Sequence, residues 1–175
     1  PYPQLGILYI AGHMSEQNID VDVFDSTFAS MAAFEGYIAE TQPRVVGIYT
    51  NMMTRRYVLK MVKMCNQQGI PIVLGGPDPA NYAQRYLEHG ADVVVIGEGE
   101  LVLEELIPHI KQDGPVAMQH IDGIVYREKD GECVTTMPRA YIKDLNAQPF
   151  PARDLIDIPG YMDVWKTHHG KSAVS

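Results

Sequence analysis

Residues suited to holding a cofactor occur in three short segments, each directly after an apolar run. They are Tyr49, Thr50, Asn51, Met52, Met53 and Thr54; Gly75, Gly76 and Pro77; and Glu98, Gly99 and Glu100. Glycines let a large ligand approach the backbone closely because they carry no Cβ. Methionines in a loop offer an apolar ligand-facing surface, and free amides at the start of a helix favour an acceptor or an anion.

Each segment also has an ordinary structural explanation. A Gly-Gly pair is equally at home in a tight turn, and the Glu-Gly-Glu segment fits a capped helix start in which Glu100 complements the helix dipole. Neither G-x-G-x-x-G nor G-x-x-x-x-G-K-[ST] is present. Nicotinamide dinucleotide and nucleoside triphosphate sites of those two kinds are therefore excluded.

The histidines and cysteines do not suggest a metal site or a disulfide framework. His168 and His169 are adjacent and would point to different faces of any regular element, which favours solvent-facing linker residues. Cys65 and Cys133 form no C-x-x-C pair, and such usage fits a reducing compartment. Cys65 falls on an apolar helix stripe and is predicted to be an inert core thiol.

Composition narrows the class of protein. The 175 residues are 46% hydrophobic and carry a net charge of -8, which predicts a globular core and argues against a nucleic-acid-binding surface. No apolar run approaches the roughly 20 residues that span a bilayer, and no secretory leader is evident. A cytoplasmic protein without membrane or nucleic-acid partners is expected.

Helical and strand patterns alternate along the first two-thirds of the chain. Helices are predicted near residues 5–14, 28–38, 54–68, 79–89 and 101–111, and strands near residues 21–24, 45–49, 70–74 and 93–96. This alternation predicts a parallel sheet with helices on both faces. Ligands of such sheets bind outside the carboxyl ends of the strands, where all three candidate segments fall.

The pattern changes after Gly114-Pro115. Residues 121–127 and 132–136 alternate with period two around Asp130-Gly131, which predicts a β-hairpin. The proline-rich remainder is expected to be an extended, irregular tether. The predicted organisation is an α/β domain over 1–115, a hairpin extension over 116–140 and a linker over 141–175.

Several runs together resemble the N-terminal cobalamin-binding domain of cobalamin-dependent radical S-adenosylmethionine enzymes. They are Pro3-x-Leu5-Gly6-x-Leu8-Tyr9, Val45-Val46-Gly47-Ile48, Gly75-Gly76-Pro77, Val94-Val95-Ile96-Gly97-Glu98-Gly99-Glu100, Asp122-Gly123-Ile124-Val125-Tyr126 and Pro149-Phe150-Pro151-Ala152-Arg153-Asp154. The resemblance covers nearly the whole chain. It implies a flavodoxin-like (Rossmann-like) fold of strand order 2-1-3-4-5, with cobalamin over the carboxyl edge of the sheet among the three candidate segments.

The same resemblance implies a chemistry for the parent protein. A neighbouring radical barrel, expected downstream of Ser175, would hold a 4Fe-4S cluster and S-adenosylmethionine. Methylcobalamin would then supply a methyl group to an unactivated centre; some members of the family run oxidative cyclisations instead. The chain lacks the cluster's C-x-x-x-C-x-x-C run and is not expected to be a catalyst by itself.

The chain departs from the family pattern in three respects. It has no D-x-H-x-x-G run, so base-off cobalamin without a histidine ligand is expected. Asp78 stands where many relatives carry histidine, and no metal role is assigned to it. The family's first strand is expected to precede Pro1.

Two other classes of protein stay open on the residues. A flavodoxin-like receiver or flavin module would share the fold, although a receiver would need a lysine at the last strand end, which Ile96-Gly97 does not provide. A cofactor-free interaction domain that only positions a barrel is the second alternative.

Overall fold

The computed structural model describes residues 2–110 and 118–173 and divides them into two compact units. One unit is built from the two ends of the chain, up to residue 30 and from residue 144 onwards; the other comprises residues 31–143. The helices are α1 (Leu5–Glu16), α2 (Met31–Thr41), α3 (Arg55–Gln67), α4 (Pro77–Glu88), α5 (Glu100–Leu106) and α6 (Ile158–His169). The strands are β1 (Val46–Tyr49), β2 (Ile72–Gly75), β3 (Val93–Val95), β4 (Ile124–Arg127) and β5 (Cys133–Thr135).

The central unit, residues 31–143, contains one open sheet of order β1-β2-β3-β4-β5. β1, β2 and β3 run parallel, whereas β4 and β5 form the predicted hairpin and run antiparallel to their neighbours. The expected flavodoxin-like α/β fold is confirmed. The carboxyl ends of β1, β2 and β3 share one edge, and the alternating directions bring the carboxyl end of β5 to that edge as well.

Apolar side chains bury both faces of β2 and β3. On one face Val73, Val93 and Tyr126 are at most 3% exposed and belong to a cluster with Val102 and Leu106 of α5. Ile72, Leu74 and Val94 alternate with them onto the other face and are fully buried, as side chains of period two must. The continuous apolar runs of β2 and β3 are therefore explained by burial on both sides.

β1 is less buried than its β-branched sequence predicts. It is the last strand on its side of the sheet, among the described residues, and its side chains alternate between half-buried and exposed. A strand that pairs on one side only has fewer neighbours to cover it, so its propensity does not guarantee burial. Cys65 is an inert core thiol as predicted: it is fully buried on α3, and burial raises its pKa to about 11.

The terminal unit lacks the strand that was predicted at residues 21–24. The side chain of Asp22 accepts the N–H of Val23 at 2.8 Å, and that of Asp25 accepts the N–H of Thr27 at 2.9 Å. Such local bonds offer the backbone an alternative to a strand ladder. In the same unit the N–H of Ala152 donates to the carbonyl of Leu8 at 2.9 Å.

The predicted irregular tether contains the helix α6. Asp157 caps its first turn by accepting the N–H of Gly160 at 3.0 Å, and Gly170 ends it with a φ of +74°. Pro159 lies in the first turn, where no backbone N–H is needed. His168 and His169 therefore occupy the last turn of a helix, and both are exposed.

Some predicted boundaries lie outside the described residues. The expected end of the last helix near residue 111 and the boundary between 115 and 116 both fall within 111–117. In the parts of the chain that are described, no helix combines the length and apolar character needed to cross a membrane.

Candidate functional site

The segment after β1 makes a tight turn that leads directly into α3. The side-chain oxygen of Asn51 accepts the N–H groups of Met53 and Thr54 at 2.9 and 3.1 Å. In return, the hydroxyl of Thr54 accepts the N–H of Asn51 at 3.1 Å. These reciprocal bonds occupy the polar groups of the turn and leave Met52 and Met53 72% and 81% exposed. The turn thus presents two flexible apolar side chains to solvent.

Thr50 is buried immediately beneath this turn. Its N–H donates to the carbonyl of Gly75 at 2.8 Å, which continues the pairing of β1 with β2. Its side chain is fully buried, yet Oγ1 has no hydrogen-bond partner among the described residues. A buried hydroxyl without a partner costs about 1–3 kcal/mol. Thr50 therefore carries unused hydrogen-bonding capacity at the carboxyl edge of the sheet.

The two glycines after β2 meet different surroundings. A Cβ at Gly75 would have no atom within 4 Å, whereas a Cβ at Gly76 would collide with the carbonyl oxygen of Thr50 and lie 3.0 Å from the ring of Tyr49. Gly76 also has a φ of +107°, which residues with a side chain rarely adopt. Gly76 thus allows the two loops to touch, and Gly75 leaves open space beside them.

The third segment is engaged with a later part of the chain. Gly97 turns the backbone with a φ of +90°, and α5 begins after Gly99. The Glu98 carboxylate accepts the N–H of Ile142 at 2.6 Å. Glu100 lies in the first turn of α5, where a carboxylate complements the helix dipole.

The first two segments together form an open cleft of about 350 Å³. The residues that line it are Asn51, Met52, Met53, Pro77, Asp78 and Asn81. The structure thus brings together four of the predicted site residues, whereas Glu98, Gly99 and Glu100 do not line this cleft. Asn81 was missed by the sequence analysis. It lies one helical turn after Pro77, and its amide donates to the Pro77 carbonyl at 2.6 Å.

Asp78 is a buried carboxylate that accepts hydrogen bonds from two other side chains, those of Arg55 and Tyr86. Arg55 donates to it through Nε at 2.7 Å and through Nη2 at 2.5 Å, and the hydroxyl of Tyr86 donates to Oδ2. The bonds from Arg55 hold the pKa of Asp78 below its usual range. Burial, together with the bond to Asp78, raises the pKa of Tyr86 to about 12. No local sequence pattern indicates this network, because Arg55 and Asp78 are 23 residues apart in the chain.

The described residues contain no group of three or more histidine, cysteine, aspartate or glutamate side chains placed to hold a metal ion. The cleft combines the apolar side chains of Met52, Met53 and Pro77 with the polar residues Asn51, Asp78 and Asn81. Such a surface suits a large, partly apolar organic ligand.

Two solved structures with a similar fold are of radical S-adenosylmethionine enzymes solved with cobalamin bound. The chain aligns with the cobalamin-dependent S-adenosylmethionine radical enzyme OxsB, solved with aqua-cobalamin and S-adenosylmethionine, at a TM-score of 0.78 and 18% identity over 89% of this chain and 22% of that one. It aligns with the radical S-adenosylmethionine methyltransferase TsrM from Kitasatospora setae, solved with cobalamin and a 4Fe-4S cluster, at a TM-score of 0.68 and 20% identity over 81% of this chain and 29% of that one. At these identities the likeness establishes the fold.

The chain thus spans 22% of the length of OxsB and 29% of that of TsrM. No curated protein matches its sequence. Residues 1–107, which include all three candidate segments, match the family described as the B12 binding domain. The resemblance seen in the sequence is therefore confirmed, and the chain belongs to the B12 binding domain family.

Proposed function

We propose that this chain binds cobalamin at the carboxyl edge of its sheet and presents it to a radical S-adenosylmethionine domain of a methyltransferase. The observation that carries the proposal is the buried, unpartnered hydroxyl of Thr50, the residue directly before Asn51 of the cleft. We propose that a ligand at the loops that follow β1 and β2 displaces the side chains that cover this hydroxyl and bonds to it. Family membership and the fold shared with OxsB and TsrM support cobalamin as that ligand.

Two features of the edge suit a large corrinoid in this proposal. Gly75 leaves space for a bulky group to lie against the backbone, and the exposed methionines Met52 and Met53 provide an apolar surface for a macrocycle. Asn51 and Thr54 support the turn of residues 51–54, called here the methionine turn, through their reciprocal bonds. When bound, cobalamin supplies a cobalt centre that can carry a methyl group.

The remaining predicted residues take supporting places in this proposal. Tyr49, 36% exposed, lies beside Gly76 at the base of the loops. Pro77 lines the cleft from the loop after β2, and Glu98, Gly99 and Glu100 follow the end of β3. We propose that cobalamin binds base-off and without a histidine ligand. The lining of the cleft, which includes no histidine, supports the second part of this proposal.

The 4Fe-4S cluster and S-adenosylmethionine belong, in this proposal, to the radical domain rather than to this chain. Methyl transfer is favoured over oxidative cyclisation because TsrM, which shares the fold, is a methyltransferase. The chain's own task is then to bind the corrinoid, orient it and cover one side of it.

The test is a titration of hydroxocobalamin into the protein, followed by absorbance and by calorimetry, with Thr50→Val and Thr135→Val in parallel. Thr135 is exposed on β5, at the far side of the sheet from β1. We expect the wild-type protein and Thr135→Val to bind equally, and Thr50→Val to bind about tenfold more weakly, the equivalent of one hydrogen bond of ~1.4 kcal/mol.

The stability of the free protein separates a ligand role from a structural one. Because the hydroxyl of Thr50 has no partner in the described residues, Thr50→Val is expected to keep or slightly increase the free energy of unfolding. No spectral change with wild-type protein would contradict the cobalamin proposal and favour a cofactor-free interaction domain. Equal affinities for both variants would remove Thr50 from the site.

A further inference from the structure

Arg55, Asp78 and Tyr86 connect the two loops that form the cleft. Arg55 is the first residue of α3, directly after the methionine turn, and Asp78 directly follows Pro77 at the start of α4. Both Asp78 oxygens accept bonds from Arg55, and one also accepts the Tyr86 hydroxyl. A bidentate guanidinium–carboxylate pair restricts orientation as well as distance. The network therefore joins the base of one cleft wall to the base of the other.

Asp78 lines the cleft but is unsuited to act as a ligand there. It is 6% exposed, and both oxygens are occupied by protein donors. Arg55 is further restrained because its guanidinium lies 5.0 Å from the ring centre of Tyr82, a contact of the cation–π type. Tyr82 interrupts α4 with a φ of -134° and a ψ of 35°.

A second contact between the same loops makes the arrangement rigid. The N–H of Thr50 donates to the Gly75 carbonyl, and Gly76 lies against the Thr50 carbonyl without room for a Cβ. The loops are thus joined at the sheet by Thr50 and Gly76 and beyond it by Arg55 and Asp78. Two contacts hold the two loops at a fixed distance from each other, whereas a single contact would let the loops pivot about it.

We propose that Arg55, Asp78 and Tyr86 are positioning residues that set the distance between the Met52–Met53 wall and the Pro77 wall of the cleft, and so determine how tightly cobalamin is held. This inference rests on the proposed function. It assigns to Asp78 a role in shaping the site rather than in binding metal. Preorganised walls favour affinity because less ordering is needed when the ligand binds.

The test compares Arg55→Met with Arg139→Met, since each removes one bidentate ion pair. Arg139 donates to the Glu105 carboxylate at 2.9 and 2.5 Å and does not line the cleft. Hydroxocobalamin affinity and the thermal midpoint of the free protein are measured for both variants. We expect Arg55→Met to weaken binding on the order of 10- to 100-fold, the size of effect that outer-shell partners have at metal sites, and Arg139→Met to bind like wild type.

A double variant, Arg55→Met with Asp78→Leu, distinguishes positioning from stability. Removing both charges leaves no unpaired buried carboxylate, so its thermal midpoint is expected to rise above that of Arg55→Met. Its cobalamin affinity is expected to stay low, because the link between the walls is still missing. Recovery of affinity together with the midpoint would overturn the inference, as would an equal loss of affinity in Arg139→Met.

The two proposals fail in distinguishable ways. If wild-type protein does not bind hydroxocobalamin, the proposed function is contradicted. If wild-type protein binds and Arg55→Met binds equally well, cobalamin binding stands and the positioning role is wrong.

Discussion

The Glu98 carboxylate accepts the backbone N–H of Ile142 at 2.6 Å, which joins the loop after β3 to the segment that follows β5. The hairpin of β4 and β5 makes this possible because it returns the chain to the carboxyl edge of the sheet. Arg139, in the same segment, pairs with Glu105 of α5, and neither residue lines the cleft. The segment after β5, which was predicted to be partly hairpin extension and partly linker, is thus attached beside the loop that contains Glu98, Gly99 and Glu100.

Replacing Glu98 with alanine is expected to release this attachment. The amide of Ile142 loses a charged acceptor, and bonds to charged groups contribute about 1.5–3 kcal/mol. Hydrogen exchange of the Ile142 amide should therefore accelerate by at least about tenfold. Glu100→Ala, two residues away in the first turn of α5, is the control and should leave the exchange of Ile142 unchanged. Equal exchange rates in wild type and Glu98→Ala would contradict the contact.

The two adjacent glycines are expected to respond oppositely to alanine. Gly76→Ala places a side chain at a φ of +107° and against the Thr50 carbonyl. The free energy of unfolding should therefore fall by about 1–3 kcal/mol. Gly75→Ala meets no atom within 4 Å and should be neutral or slightly stabilising. Urea unfolding of the two variants measures the difference. If cobalamin lies against Gly75, that variant should bind it more weakly despite its intact fold.

Stability at acid pH should depend on Asp78. Its pKa is lowered in the folded protein, chiefly by the bonds from Arg55, while an unfolded aspartate titrates near pH ~3.9. The folded state therefore binds fewer protons than the unfolded state. The stability that ionised Asp78 contributes is present above pH ~4 and is lost as the pH falls through the lowered pKa. Urea midpoints at pH 7, 4 and 3 should fall less steeply for Asp78→Asn than for wild type.

Glu105 provides the comparison for that experiment. Arg139 lowers the pKa of Glu105 as well. The side chain of Glu105 is 48% exposed, however, and solvent weakens ion pairs at exposed groups. Glu105→Gln should therefore flatten the acid dependence less than Asp78→Asn does. A steeper acid dependence in Asp78→Asn than in wild type would contradict the assigned direction.

Tyr161 attaches the Asp25–Thr27 turn within the terminal unit. Its side chain is fully buried, and its hydroxyl bonds to Asp25 at 2.6 Å and to Thr27 at 2.8 Å. Burial and Asp25 raise its pKa to about 12. Tyr161→Phe leaves both partners without this hydroxyl and should cost about 1–3 kcal/mol of stability. Tyr141→Phe, at a tyrosine that is 78% exposed, should cost nothing measurable by the same urea unfolding.

The sequence by itself determined the parallel strands β1 to β3, the hairpin, the order of the loops and the family. The apolar runs at β2 and β3 and the Asp130-Gly131 turn are local signals, because burial and turn geometry constrain neighbouring residues directly. The location of the glycine segments followed from the same reasoning, since parallel strands place their carboxyl ends, and the loops after them, at one edge of the sheet. The helix α6 was also signalled, by Asp157 at its start and Gly170 at its end, but its prolines suggested a tether instead.

Only the tertiary structure decided how these loops are held. Arg55 and Asp78 are 23 residues apart, and Glu98 and Ile142 are 44 apart, so neither pair leaves a periodic trace in the sequence. The predicted strand at residues 21–24 failed for a related reason: a strand requires a partner, and propensity does not supply one. Local chemistry specified the elements and the candidate ligand groups, whereas pairing across the fold fixed the distances between them.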